Sequence, residues 1–273
     1  MEIRIKRFIA LVILAPLSFC TAAIAASTWD VHPTPLDRMN TAGIGLSVAA
    51  VAEVLREGQD SELRYWSALA LAQLEDAAAI PILIQATDDA DLNVRTGASI
   101  ALGYFPTHES AQALRIIARR DPEFVTRKAA VISLGRIRNG DAALGLIEAA
   151  NDENESEEIR YHAIYTLGEF ADSETLMEIN PLTDSSNANI KAITRLSMSK
   201  GGVPIEIGDL VQSATDIKID EFTFLQLVKH LEQKSNREFF RGKDAPIESQ
   251  TREKTKQRIL DWWSESTGIE TID

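Results

Sequence analysis

Val94-Arg95-Thr96-Gly97-Ala98-Ser99-Ile100-Ala101-Leu102-Gly103 is a helix-forming run with a cation near its start, small residues in its middle and Leu-Gly at its end. The same order recurs along the chain. Leu63-Arg64 leads through Ala68 to Leu71-Ala72, Thr126-Arg127 through Ala130 to Leu134-Gly135, and Ile159-Arg160 through Ala163 to Leu167-Gly168. Arg64, Arg95, Arg127 and Arg160 are 31, 32 and 33 residues apart, and a fainter copy, Ile190-Lys191 to Met198-Ser199, follows 31 residues later. A near-constant period of this length marks stacked units, each too small to bury a core alone.

Within each copy, counting from the Arg, position minus one is Leu63, Val94, Thr126, Ile159 or Ile190. Position three is Ser67, Ala98, Ala130, Ala163 or Thr194, and position seven is Leu71, Leu102, Leu134, Leu167 or Met198. Spacings of three and four keep these on one helix face. Small residues at position three let helices approach, and Gly at position eight ends the helix or admits a close neighbour. A turn follows, with Asp76, Thr107, Asp141 or Asp172 placed to cap a second helix. The second helices are expected at Ile80 to Ala86, Ala111 to Arg119, Ala142 to Ala150 and Thr175 to Ile179, each closed by an acidic or polar turn. The pattern predicts an all-α chain: an α-α superhelix of about five helix pairs.

These Val-Arg, Ala and Leu-Gly series resemble those of HEAT-repeat proteins, of the short-repeat kind shared with phycobilin lyase-type proteins, over about residues 60 to 200. The resemblance implies a scaffold that binds another protein, since most such arrays are not enzymes. The alternatives it leaves are a phycobilin lyase-like activity and a metal-dependent enzyme. The HEAT-repeat enzyme deoxyhypusine hydroxylase holds its iron through recurring His-Glu pairs. Here His108-Glu109 stands alone, expected in a turn, and His162 is followed by Ala163. No cofactor and no metal are expected.

The chain opens with Arg4, Lys6 and Arg7, an apolar run from Phe8 to Phe19, and small residues through Ala26. That is a secretory signal peptide, with cleavage near Ala25. Export to the periplasm or beyond is the expectation, with no membrane insertion after cleavage. An uncleaved anchor over residues 8–26 is the rival. The expected divisions are a signal peptide at 1–26, an extended linker at 27–44 containing Pro33 and Pro35, the repeats at 45–200 and a carboxy-terminal helical cap at 201–273. The Gly201-Gly202-Val203-Pro204 break separates the last two. Trp262 and Trp263, with Phe239 or Phe240 alongside, are the expected lid over the last apolar face.

Net charge is -13, which argues against a nucleic-acid partner, because phosphates demand a basic surface. The one Cys, Cys20, lies in the leader, so the mature chain has no thiol. There is no Gly-x-Ser-x-Gly elbow and no phosphate-binding Gly loop. Asp89-Ala90-Asp91-Leu92-Asn93 alternates oxygen ligands like a calcium loop, but Val94 and Ile100 stand where Gly and Glu belong.

Two residue sets remain. Arg64, Arg95, Arg127 and Arg160 form a ladder that follows the repeat itself, so each is expected to pair with an acid of the neighbouring turn, such as Asp91, Glu123 or Glu158. Tyr65, Trp66, Tyr161 and His162 occupy positions one and two of their copies and are the candidate partner-binding residues, on the inner face. Trp66 has a second reading, as a packing residue against Leu55, and Tyr165 reads as core.

Overall fold

The computed structural model describes residues 33–239 and 249–268. They form an all-α array of the solenoid kind, with fourteen α-helices and no strand among the described residues. Contacts divide the chain into two compact units, Met1–Ala163 and Ile164–Asp273.

In the first unit the helices are α1 (Pro35–Thr41), α2 (Val48–Glu57), α3 (Ser61–Gln73), α4 (Ile80–Ala86), α5 (Leu92–Leu102), α6 (His108–Arg120), α7 (Phe124–Ile137) and α8 (Gly140–Asn151). Helix α9 (Glu157–Phe170) begins here and runs into the second unit. Helices α3, α5, α7 and α9 carry the arginines. Successive arginine helices pack side by side, α3 on α5 and α5 on α7, and each companion helix α4, α6 and α8 packs beside them.

That side-by-side stacking explains the composition of the arginine helices. Residues 65–72 of α3, 96–102 of α5 and 128–134 of α7 are buried without interruption. A helix flanked on several sides has no solvent face to mark with polar residues, so Ala, Ser, Thr and Gly fill its circumference. Gly103 shows the closeness: a Cβ there would lie 2.8 Å from the Ser133 Cβ and 3.1 Å from its Cα. The companion helices are amphipathic instead. In α6, Ala111, Leu114, Ile117 and Ala118 are buried, at spacings of three and four.

Two sequence expectations change in this unit. Residues 35–41, expected as extended linker, are a helix. Thr34 caps it in a reciprocal pair with Asp37, and Pro35 occupies the first turn, where no N–H is needed. Met39 of that helix is fully buried and its sulfur accepts from the Ser67 hydroxyl at 3.4 Å. The second correction concerns Asp141: Asn139 caps α8, accepting from the Ala142 N–H at 2.8 Å, and Asp141 lies in the first turn of α8.

The second unit contains α10 (Ser173–Met177), α11 (Ala188–Lys200), α12 (Ile207–Thr215), α13 (Glu221–Ser235) and α14 (Ser249–Thr267). The fifth, fainter copy is α11. It packs on α12 and α13, so the contacts group it with the carboxy-terminal segment, whereas the sequence break falls at 200. A Cβ on Gly168 would meet Ser197 of α11 at 2.5 Å, so Gly at position eight here admits a neighbour inside a continuing helix. The indole of Trp263 lies over Gly208 of α12, and Trp262 packs against Phe239 with ring centroids 5.3 Å apart. Arg258 Nη1 donates to the Phe239 carbonyl at 2.8 Å and holds that end of the segment. Phe240, the other residue named for the lid, lies outside the described residues, as does the leader of residues 1–26.

Candidate functional site

The arginines form rungs. Arg64 grips Asp89 through Nε and Nη2 at 3.0 and 2.9 Å. Arg95 grips Asp121 at 2.7 and 3.3 Å, and Arg127 grips Glu155 at 2.6 and 3.1 Å. Each Nη1 turns back to a carbonyl of the preceding turn: Gly58, Asp89 and Asp121 respectively, at 2.8 to 3.0 Å. A planar fork satisfied on both edges is a positioning device. Arg160 donates Nε to the Ala150 carbonyl at 3.0 Å.

The acids expected as partners do other work. Asp91 caps α5, accepting from Asn93 and Val94, and Glu123 precedes α7 at its cap position. Glu158 pairs with Lys128 at 2.5 Å. The acids that do hold the arginines also accept an N–H of their own turn: Asp89 from Asp91, Asp121 from Glu123, and Glu155 from Ser156. Burial pushes the Asp89 and Glu155 carboxyls up, but the arginine and these N–H groups outweigh it and hold both below the ordinary range.

Tyr65, Trp66, Tyr161 and His162 are 0, 4, 3 and 4% exposed. The expectation that they anchor a partner is corrected: position one is buried in every copy, as Thr96, Lys128 and Ala192 also show. In α3, α5 and α7 it faces the next arginine helix along the stack, and one stripe read from positions minus one, three and seven misses that second buried flank. The Tyr65 ring lies where a Cβ on Gly97 would meet it at 2.7 Å, and Arg38 sits 4.0 Å above the Trp66 ring. The Tyr65 hydroxyl is buried without a partner, and burial pushes its pKa up. Thr96 and Thr126 meet hydroxyl to hydroxyl at 3.0 Å across the next seam, between α5 and α7. His162 has no partner at Nδ1, and burial, helped by Lys128, lowers its pKa to about 4.

His108 opens α6 rather than lying in a turn, and its Nδ1 is 2.8 Å from Asp141 Oδ2. Its pKa is raised by that hydrogen bond and by the charge of Asp141. Among the described residues no group of three His, Cys, Asp or Glu is arranged to hold a metal ion.

The surface features lie on the companion helices. The buried set of α6 leaves Gln112, Arg115, Ile116, Arg119 and Arg120 outside, and Ile116 is 57% exposed. Leu144 on α8 is 49% exposed. A groove of about 510 Å³ between α6 and α8 is lined by Arg115, Arg119, Gly145, Glu148, Asp152 and Glu155, among others. It adjoins a hollow of about 300 Å³ formed by Gln112, Arg115, Ile116, Arg119, Arg120 and Glu148. On the other side of α6, a groove of about 540 Å³ toward α4 is bordered by Asp88, Asp89, Ile116 and Arg120. Arg115 forks onto Glu148, Nε to Oε2 at 2.7 Å. That contact lowers the carboxyl pKa and raises that of the guanidinium. The sequence holds a signal for this surface: Arg115-Ile116-Ile117-Ala118-Arg119-Arg120 puts one Ile on the polar side among three cations.

A family model for HEAT repeats matches residues 48–135 and 116–199. Among solved structures, the chain is similar to the complex of CpcE and CpcF of phycocyanin lyase from Nostoc. The identity is 17% and the TM-score 0.44, over 81% of this chain and 95% of that one. No curated protein matches it significantly. No helix among the described residues is long and apolar enough to cross a membrane.

Proposed function

The chain belongs to the HEAT-repeat family, and from that premise we propose that it is a non-catalytic exported scaffold that docks a protein partner on its companion helices. One observation carries this: Ile116 stands 57% exposed beside two grooves, on the helix whose own core face is already filled by Ala111, Leu114 and Ile117. The setting of Ile116 distinguishes it from other exposed apolar side chains: it stands at the edge of two polar-rimmed hollows, the apolar centre and polar rim of a docking surface. The arginine helices offer no such group at Tyr65, Trp66, Tyr161 or His162, which are core. Export rests on the leader of residues 1–26.

The test is capture from the cell envelope after cross-linking, with wild type and Ile116→Asp in parallel. The variant is expected to lose a partner while keeping its thermal midpoint. The same partners on both proteins would overturn the reading. Export is checked by sequencing the amino terminus of the protein as it is recovered: a start near Ala26 is expected, and an intact Met1 contradicts cleavage.

A further inference from the structure

We propose that the hollow along α6 takes an acidic peptide segment of that partner, carboxylates against Arg119 and Arg120 and an apolar side chain against Ile116. The inference rests on the scaffold reading and adds the chemistry of what is bound.

The chain as a whole is strongly acidic, at -13. Against that background the hollow is an inversion: its lining includes three guanidinium groups, Arg115, Arg119 and Arg120, and one carboxylate, Glu148. Arg115 and Glu148 fork onto each other, and the charge of Arg119 also lowers the Glu148 carboxyl's pKa, which leaves one carboxylate among three guanidinium groups. Arg119 and Arg120 are exposed at the last turn of α6. An arginine usually finds its acid in this protein, as Arg64, Arg95, Arg115 and Arg127 do. Two adjacent exposed guanidinium groups, next to an exposed isoleucine, complement a chain that alternates carboxylate and apolar groups.

The shape favours a peptide over a lipid surface. The cations line a hollow bounded by neighbouring helices, and the exposed Asp88 borders the groove on one side of it while the exposed Asp152 borders the other; Asp89, Asp121 and Glu155 are already held by Arg64, Arg95 and Arg127. A flat anionic bilayer would meet those carboxylates together with the arginines. A single extended chain threads between them. The bordering acids also set the register, since a carboxylate placed outside the hollow is repelled.

The experiment is fluorescence anisotropy with the full chain and a short fluorescein-labelled peptide of Glu, Asp and Leu. Wild type is expected to bind it, and Arg119→Gln/Arg120→Gln to bind about tenfold more weakly, the combined loss of two exposed charge contacts of ordinary strength. Arg119→Lys/Arg120→Lys retains the charges and is expected to recover most of the binding. Arg138→Gln, an exposed cation outside the hollow, should leave it unchanged. Absence of binding by wild type, or equal binding by the Gln variant, overturns the proposal. So does Arg119- and Arg120-dependent binding to phosphatidylglycerol vesicles in place of the peptide. Loss of a captured partner in Ile116→Asp without peptide binding would sink the acidic-partner inference and leave the scaffold standing. Peptide binding with no partner lost in Ile116→Asp would support the acidic preference of the hollow and overturn the docking role of Ile116.

Discussion

The Asp89 carboxylate joins two consecutive repeats: it accepts both arms of Arg64, 25 residues earlier, and through Oδ1 the N–H of Asp91 in its own turn. The guanidinium sits on the first helix of one pair, and the turn leads from that pair into the next. The ion pair is therefore a fastening between units and not a property of either.

Cutting such a rung should weaken the array. In the Arg95–Asp121 rung the side chains are only 13 and 5% exposed, so Asp121→Ala strands a poorly solvated guanidinium. A loss of about 2–3 kcal/mol is expected. It should appear as a lower urea midpoint; an unchanged midpoint contradicts the rung's role.

Acid should also weaken it, in two windows. His162 and His230 have folded pKa values lowered from 6.5 to about 4, so the unfolded chain binds their protons first. Stability should fall as pH drops from 6.5 toward 4, by on the order of 3 kcal/mol for the buried His162. Asp89 and Glu155 have depressed pKa values, so what they contribute persists above about pH 4 and is lost below it. His162→Gln should remove the His162 share of the upper window, leaving that of His230 and the lower window in place, read by denaturant titration across pH.

Glycine contacts give a paired test. Gly103→Ala forces a Cβ into Ser133 and is expected to cost about 1–3 kcal/mol. Gly140→Ala meets nothing within 4 Å at the start of α8 and should be neutral or slightly stabilising. Calorimetric midpoints that move together for both would refute the seam contact.

Tyr65 separates core from surface. Its hydroxyl has no partner, so Tyr65→Phe should leave stability unchanged or raise it slightly, whereas Tyr65→Ala should cost about 3–5 kcal/mol. If Tyr65→Phe instead lowers the melting temperature markedly, the hydroxyl has a partner after all.

The repeat is legible in the sequence because a fastening that recurs in space must recur along the chain: Arg64, Arg95 and Arg127 carry the period by their spacing alone. The acids are harder to read. Asp89 and Asp91, or Asp121 and Glu123, are two residues apart in one turn, and only the cap geometry decides which of them faces the arginine. The aromatic positions mislead because a 3.6-residue periodicity reports one buried stripe, and Tyr65 lies on a second. Helix α1 is hidden by Pro33 and Pro35, although Thr34 before Pro35 is a good helix start. The α6 surface is masked because Ile116 sits beside Ile117, and a run of two isoleucines reads as core.

The rungs reach 25, 26 and 28 residues forward, and the longest reach ends on Glu155 where the others end on aspartate. The α8 cap Asn139 follows Gly135 by four residues, as Asp76 follows Ala72 and Thr107 follows Gly103, so the surplus of that longest span lies beyond Asn139, between that cap and Glu155. The acid thus acts as a gauge of repeat length that tolerates a small surplus by changing its own side chain. A copy added or removed as a whole, cut between equivalent arginines, keeps every surviving fork matched to a carboxylate. A deletion that is not a whole copy shifts one guanidinium away from its carboxylate. Such an array can be lengthened or shortened by whole copies while its seams stay closed.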